Sequence, residues 1–141
     1  MMENKLPLIN SLEPKKNDRF VVVFPEEFKI DSFTVQKINK PKFENGKWKN
    51  IGITFIDPIA CSPSHGLYKI IDLKNKEENT NEKPLFEFVI KSLDPIGETV
   101  ETWKILVEEV VVIDFGELDY SNSEMQTSIM IIKPKNCILE S

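Results

Sequence analysis

The sequence predicts a mainly β protein: an antiparallel β-barrel or sandwich of about six or seven strands, with one α-helix on its flank. Three observations lead to this prediction. Short runs rich in β-branched and aromatic residues recur along the chain of 141 residues, and Pro or Gly turns separate them. Within several runs apolar and polar residues alternate, as in a strand with one buried face. Helical spacing of apolar residues occurs in one stretch, residues 64–73.

The first half of the chain contains three predicted strands. Residues 17–25 form the first, a run rich in Val and Phe that ends at Pro25. Residues 32–39 form the second strand. Residues 48–56 form the third, in which every second residue from Ile51 onward is apolar.

Residues 40–48 are predicted to form the tip of a hairpin between the second and third strands. Asn45-Gly46 is the strongest short hairpin signal, because both residues tolerate the positive φ of a type I′ turn. Four lysines crowd this tip: Lys40, Lys42, Lys47 and Lys49. They are either solvated lysines on an exposed hairpin or part of a loop that docks on an acidic surface of a neighbouring subunit.

One amphipathic helix is predicted at residues 64–73. Ser62-Pro63-Ser64 is typical of a helix start, with a hydroxyl cap and an early proline. Leu67 and Ile70 then recur at helical spacing. The following residues, 72–83, include seven charged side chains among twelve, so we expect an exposed loop there.

The second half is organised around residues 84–120, which are predicted to form a strand, a turn, a strand, a kink and a strand. Asp94-Pro95-Ile96-Gly97 has the composition of the turn. After it, alternate residues from Trp103 to Phe115 are mostly apolar and are predicted to share one face of the sheet. Glu108-Glu109 interrupts this run, and we interpret the pair as a bulge, a corner or a strand end that faces water.

The last long strand is predicted at residues 124–133, with Pro134 ending it and a short terminal strand at residues 136–140. Large aromatic side chains fall at the inward positions of these strands. We expect six of them in the core: Phe20, Phe33, Phe55, Phe86, Phe88 and Trp103.

Composition argues against several classes of function. The net charge of −5 disfavours a general nucleic-acid-binding module, whose affinity would come from Lys and Arg on phosphates. No apolar run reaches the roughly 18 residues of a membrane span, and the N-terminus has no export-signal pattern. Cys61 and Cys137 are far apart and outside any metal-binding spacing, which favours two reduced thiols.

The sequence contains no recognisable catalytic, cofactor-binding or metal-binding residues. P-loop, dinucleotide-binding, zinc-protease and nucleophile-elbow motifs do not occur. His65 is the only histidine and has no nucleophile at a recognisable spacing. We therefore predict a protein that is not an enzyme and that needs no cofactor.

Several segments between Arg19 and Leu139 follow one another in a characteristic order of strands and turns. The upstream segments are Asn45-Gly46-x-Trp48 and Ile53-Thr54-Phe55-x-Asp57-Pro58. The downstream positions are Leu93, Asp94, Pro95, Gly97, Glu101, Trp103, Ile113, Asp114, Phe115, Gly116, Leu118, Asp119 and Tyr120. Each segment alone is only a turn flanked by strands, but in their order and spacing they together resemble bacteriophage tail tube proteins of the contractile-tail type. At Glu108 and Glu109 the chain departs from the small residues that the family often has there.

The resemblance implies a structural subunit of a phage tail tube. Members of the family form homohexameric rings that stack around a channel for the genome. The resemblance also implies that DNA passes through this channel without specific binding. It also implies an N-terminal arm at residues 1–16 before a single β domain at residues 17–141. Tail sheath and baseplate proteins are the implied partners. The implied location is the virion tail, assembled in the host cytoplasm without a membrane.

Two surfaces follow from this resemblance. The arm and the hairpin are expected to lock one ring to the next, with a docking loop made of Lys40, Lys42, Phe43, Asn45, Gly46 and Lys47. The channel wall is expected to be net acidic, which would repel phosphates. The candidate lumen carboxylates are Glu87, Glu101, Glu108 and Glu109.

Two alternatives stay open at this point. One is the tube subunit of a phage-derived contractile injection or secretion system, which shares the fold. The other, of a different class, is a monomeric β-barrel that binds a small ligand or peptide. Oligomeric state separates this second alternative from the tube subunits.

Overall fold

The computed structural model describes residues 13–76 and 83–140, and its architecture is mainly antiparallel β. Six strands form one sheet in the order β1-β6-β7-β8-β5-β2, which curls into a nearly closed barrel; β3 and β4 form a separate two-stranded ribbon. The predicted fold class is therefore confirmed. The elements are β1 (Phe20–Val23), β2 (Val35–Ile38), β3 (Phe43–Glu44), β4 (Lys47–Trp48), β5 (Ile51–Ile56), α1 (Ser64–Lys76), β6 (Phe86–Leu93), β7 (Thr99–Asp114) and β8 (Thr127–Glu140).

The core lies inside the barrel, and α1 covers part of it. Alternate residues of the strands point inward, and Ile53 and Phe55 of β5 are fully buried. From the helix, Leu67 and Ile70 join the same core. The helix can lie close to the segment after β1 because of Gly66. A Cβ atom there would lie 2.4 Å from Ile30 Cγ1.

The predicted helix start is confirmed. The Ser62 hydroxyl accepts a hydrogen bond from the backbone N–H of Ser64 at 3.2 Å and itself donates to the Asp57 carboxylate. The Ser64 hydroxyl donates to the other oxygen of Asp57 at 3.3 Å. Asp57 follows β5 directly, so these bonds tie the helix start to a barrel strand.

Strand β7 contains two bulges in its ladder with β8. Its register against β8 skips Glu108 and then Val111, so each of these residues has no direct partner. The bulge predicted at Glu108-Glu109 is confirmed, but the single apolar face from Trp103 to Phe115 is wrong. Each bulge moves the inward positions by one residue, so Val107 and Val110 are buried while Val111 is 49% exposed.

Strand β8 does not end at Pro134, which corrects the prediction of two separate strands. It runs unbroken from Thr127 to Glu140. Pro134 pairs with Val107 at a shift in the β7–β8 register, and the β5 ladder on the other edge stops at Ile132. Proline has no backbone N–H, but neither neighbouring strand needs a donor at position 134. The ladder with β7 is irregular there, and the ladder with β5 has already ended.

The segment predicted as the second strand begins as a 3-10 turn at Ser32–Thr34, and β2 starts only at Val35. Thr34 stabilises this turn, since its hydroxyl donates to the Asp31 carbonyl at 2.7 Å. The turn rotates Phe33 outward, where it is 62% exposed. Its predicted place in the core is therefore wrong, whereas Phe55, Phe86 and Phe88 are buried as expected.

The structure describes only part of the predicted N-terminal arm and of the predicted charged loop. Residues 1–12 of the predicted arm, residues 77–82 of the predicted loop and Ser141 lie outside the described residues. The loop was predicted to begin at residue 72, which is wrong, because α1 continues to Lys76. Within the described residues, no helix is long and apolar enough to cross a membrane.

Candidate assembly surface

The predicted hairpin projects from the end of the barrel where β7 begins and β8 ends. Asn45 and Gly46 have φ angles of 53° and 76°, which confirms the turn predicted from their sequence. Phe43 packs edge-on against Trp48 with ring centroids 5.0 Å apart, and Trp48 packs edge-on against Trp103 of β7 at 6.1 Å. This aromatic row seats the hairpin on the sheet.

The indole of Trp48 also contacts β8. Its Nε1 donates a hydrogen bond of 3.1 Å to Oδ1 of Asn136. Because Asn136 pairs with Leu106 in the β7–β8 ladder, the hairpin is attached to both strands of that ladder.

Glu101 of β7 gathers three separate segments beside the aromatic row. Its carboxylate accepts a hydrogen bond from Lys15 Nζ at 2.6 Å and forms an ion pair with Lys40 just before the hairpin. Nε1 of Trp103 donates to it at 3.0 Å. Hydrogen bonds from Lys15 and then Lys40 lower the pKa of Glu101 to about 2, so its carboxylate is charged at neutral pH.

The outer part of the hairpin carries one lysine that forms an ion pair and two that do not. Lys42 pairs with Glu44 of the same hairpin at 3.1 Å. Lys47 is exposed and Lys49 is half-buried, and neither forms an ion pair with any described acidic residue. Phe43 is 60% exposed despite its contact with Trp48. The predicted docking-loop residues therefore divide, since Lys40 is held at the base while Lys47 is presented to the surroundings.

The opposite end of β7 and β8 is closed by residues 115–126, which we call the β7–β8 loop. It contains large apolar side chains that nothing in the described chain covers, with Leu118 at 81% exposure, Met125 at 67% and Tyr120 fully exposed. Its charged side chains are all acidic: Glu117, Asp119 and Glu124. The sequence predicts strand on both sides of this segment, through residue 120 and again from residue 124, and both boundaries are wrong, because β7 ends at Asp114 and β8 begins at Thr127. Large apolar residues between turn-forming Asp, Asn and Ser were the signal of a contact surface.

Local hydrogen bonds shape the β7–β8 loop. Asp114 Oδ1 accepts from the backbone N–H of Gly116 at 2.9 Å, and Asp119 Oδ1 accepts from both N–H and hydroxyl of Ser121. The bonds from Ser121 lower the pKa of Asp119. Gly116 has a φ of 97°, and a Cβ there would lie 2.6 Å from the Thr127 carbonyl oxygen.

The family-like positions fall at the two ends of β7. Leu93, Asp94, Pro95 and Gly97 form the turn before it, in which Asp94 Oδ1 accepts from the N–H groups of Ile96 and Glu98. Trp103 belongs to the hairpin contact at that same end. The other positions lie at or just beyond the far end of the strand: Asp114, Phe115, Gly116, Leu118, Asp119 and Tyr120.

The four candidate lumen carboxylates do not form one cluster. Glu87 pairs with Lys104 at 3.5 Å and Glu108 with Lys133 at 3.0 Å, in both cases across neighbouring strands. Glu109 instead pairs with Lys74 of α1 at 3.3 Å. Lys74 also donates to the Val110 carbonyl at 3.0 Å, which gives a hydrogen-bond partner to a backbone group that the bulges displace. Each of the four, including Glu101, has at least one lysine partner.

The barrel has an opening between its edge strands β1 and β2, each of which pairs with one other strand. The opening is a cleft of about 1060 Å³ with Phe20, Val21, Val35 and Ile38 among its lining residues. Unpaired backbone groups on both edges can accept a further strand.

Comparisons of sequence find no match, whereas comparisons of structure find chains with the same fold. No family model matches the chain, and no curated protein sequence matches it. A chain of the PVC extracellular contractile injection system, from its sheath–tube complex in the extended state, superposes with a TM-score of 0.66 at 12% identity. The match covers 96% of this chain and 97% of that chain.

Two further structures give the same result. A chain of the tube-terminating cap of the anti-feeding prophage has a TM-score of 0.63 at 13% identity and covers 92% of each chain. A chain of the PVC sheath/tube terminator has a TM-score of 0.61 at 14% identity, covering 92% of this chain and 98% of that chain. The protein thus has the fold of tube components of contractile injection systems. The resemblance to contractile tail tube proteins is confirmed at the level of the fold.

Proposed function

We propose that the chain is a structural tube subunit of a contractile tail or of a phage-derived contractile injection system. The observation that carries this proposal is the length of the structural match. It covers 96% of this chain and 97% of a chain from a sheath–tube complex, so the shared fold extends over almost all of both chains. Fold likeness alone does not define a function, and the proposal therefore also uses the surfaces of this chain.

Its copies form hexameric rings in this proposal. The free edges of β1 and β2 support ring formation, because edge strands that pair between subunits no longer expose unpaired backbone groups. The rings stack into a hollow tube that DNA or another cargo crosses without specific binding. A sheath outside the tube and a baseplate at its end are the proposed partners, and a virion tail is one setting for them.

The exposed hairpin supports a role in contact between rings. It projects from one end of the barrel with Phe43 and Lys47 uncovered, while its base is fixed by Trp48 and Glu101. The lumen role of the four candidate carboxylates, Glu87, Glu101, Glu108 and Glu109, stays a prediction. Their lysine partners reduce the net negative field that these carboxylates would supply.

A monomeric ligand-binding barrel is the second candidate, and the cleft between β1 and β2 favours it. Negative-stain electron microscopy of the purified protein over a concentration series, with sedimentation velocity on the same samples, distinguishes the two. We expect rings or tubes of uniform width. Monomers at every concentration, also in the presence of baseplate components from the same gene cluster, would contradict the tube.

Deletion of residues 42–47 tests the hairpin separately. The variant should keep the circular dichroism spectrum of the wild type and form rings, but rings should not stack. Normal tubes from this variant would remove the hairpin from the inter-ring contact and leave the tube function intact.

A further inference from the structure

The β7–β8 ribbon carries two unlike surfaces at its two ends. Its ladder runs from the pair Thr102 and Glu140 to the pair Asp114 and Ile129. At about 3.3 Å per residue, the strand from Trp103 to Asp114 spans roughly 35 Å. The hairpin sits at the first end through its contacts with Trp103 and Asn136, and the β7–β8 loop closes the second end.

The two surfaces have opposite charge and similar apolar content. At the hairpin end, Lys47 and Lys49 form no ion pair with a described acidic residue, and they flank Trp48, the residue opposite the exposed Phe43. At the other end, Glu117 and Glu124 have no lysine or arginine partner among the described residues. They lie in the loop that exposes Leu118, Tyr120 and Met125.

We propose that the hairpin of one copy docks on the β7–β8 loop of the next copy. This inference rests on the proposed tube function and names the partner surface of the hairpin. The contact is heterologous, because one end of the molecule meets the opposite end of another. Repetition of such a contact along the ribbon direction does not close on itself and therefore builds an open stack with a defined polarity.

A second copy fits the charges of these two surfaces better than an unrelated partner does. One chain supplies both the basic and the acidic surface, so every copy carries the complement of its neighbour. The contact between two loops is small beside the roughly 1,200 Å² that a stable interface buries, so a single pair of subunits would associate weakly. Parallel contacts around a ring would act together and make the stack stable.

Charge reversal at both surfaces tests the inference. The hairpin variant is Lys47→Glu with Lys49→Glu, the loop variant is Glu117→Lys with Glu124→Lys, and a third variant combines all four changes. Each double variant should reduce the pelleted tube fraction by about tenfold or more, because like charges then face each other at every parallel contact. The combined variant should restore stacking, since the opposite charges meet again.

A matched control uses acidic residues away from both ends. Glu26→Lys with Glu27→Lys, on an exposed 3-10 turn, changes the net charge as the loop variant does and should leave stacking unchanged. Stacking of the loop variant at the wild-type level, or no recovery of stacking in the combined variant, would overturn the inference. The proposed tube function would still be supported if the protein forms rings. Wild-type protein that forms no rings at all would instead remove the proposed function, and the inference with it.

A disulfide trap gives a second measurement that is independent of charge. In a Cys61→Ser background, Lys47→Cys with Tyr120→Cys should yield a ladder of oxidised multimers from assembled protein. Lys47→Cys with Tyr68→Cys should yield none, because Tyr68 lies on the exposed side of α1. Equal ladders from both pairs would contradict the proposed contact.

Discussion

Nε1 of Trp103 donates a hydrogen bond of 3.0 Å to the Glu101 carboxylate two residues earlier on the same strand. The bond holds an anion beside an aromatic row, where it pairs with lysines from two other segments. Only 13% of the Glu101 side chain is exposed. Glu101 thus fixes the base of the hairpin and the segment before β1 to one point of the barrel.

Replacement of Glu101 by Gln should weaken this attachment. Loss of the charge removes two ion pairs whose lysines are half-exposed, so we expect the free energy of unfolding at pH 7 to fall by about 1–2 kcal/mol. Urea denaturation measures the change. Glu98→Gln, at an exposed position without a lysine partner in the described chain, is the matched control and should stay within about 0.5 kcal/mol of wild type.

The same carboxylate makes stability depend on pH. Its pKa is about 2 in the folded protein and 4.5 in its ordinary state, so the folded form holds fewer protons between these values. The stabilisation by Glu101 is complete above about pH 4.5 and is lost as the pH falls toward 2. The difference between wild type and Glu101→Gln should therefore shrink across this range. A difference that stays constant from pH 6 to pH 3 would contradict the ion cluster.

Trp48 should act on assembly more than on folding. Trp48→Ala removes the aromatic contacts with Phe43 and Trp103. It also removes the hydrogen bond to Asn136, so the hairpin is no longer attached to β7 and β8. Trp48 is only partly buried and packs against the outside of the core cluster, so most core contacts remain without it. We expect unfolding to become easier by about 1–3 kcal/mol and stacking to be lost. Trp103 is then the only tryptophan, and its fluorescence emission should shift to longer wavelength as water reaches it.

Trp48→Phe is the control for this experiment. It keeps an aromatic ring between Phe43 and Trp103 but removes the indole N–H that binds Asn136. We expect partial stacking, intermediate between wild type and Trp48→Ala. If Trp48→Ala stacks as well as wild type, the aromatic row does not position the hairpin.

The turns and the presence of most strands could be predicted from the sequence, because local residues determine them. Asn45-Gly46 adopts the positive φ angles that its composition favours, and the Ser62 cap forms as expected. The alternation in β5 correctly identified Ile51, Ile53 and Phe55 as core residues.

What the sequence did not predict depends on neighbouring strands. The bulge at Val111 and the passage of β8 through Pro134 are set by the register of the β7–β8 pair, and no local pattern encodes it. Phe33 turned outward because the Thr34 hydroxyl stabilises a 3-10 turn that competes with a strand. The β7–β8 loop was not predicted as a surface because strands were predicted over both of its ends, so its apolar residues were not expected to be exposed.

Gly66 should be required for close packing between α1 and the segment after β1. A methyl group there would lie 2.4 Å from Ile30 Cγ1 and 2.5 Å from the Phe28 carbonyl oxygen, so the helix would have to move outward. Although Ala favours helices by about 1 kcal/mol over Gly, the overlap should dominate, and Gly66→Ala should destabilise by about 1–3 kcal/mol in thermal unfolding. Asn75→Ala on the exposed side of α1 should be neutral or slightly stabilising. A neutral Gly66→Ala would show that the helix packs less closely.

The two cysteines should differ sharply in reactivity. Cys61 is exposed, whereas Cys137 is buried in β8 opposite Ile105, and this burial raises the pKa of its thiol to about 11. Because the thiolate is the reactive form, a thiol reagent at pH 8 should modify Cys61 in native protein and leave Cys137 unmodified until denaturant is added. Mass spectrometry of the alkylated protein counts the modified sites, and Cys61→Ser should show none before unfolding. Rapid native labelling of Cys137 would mean that β8 separates from β7 in solution, which would contradict a continuous sheet through Pro134.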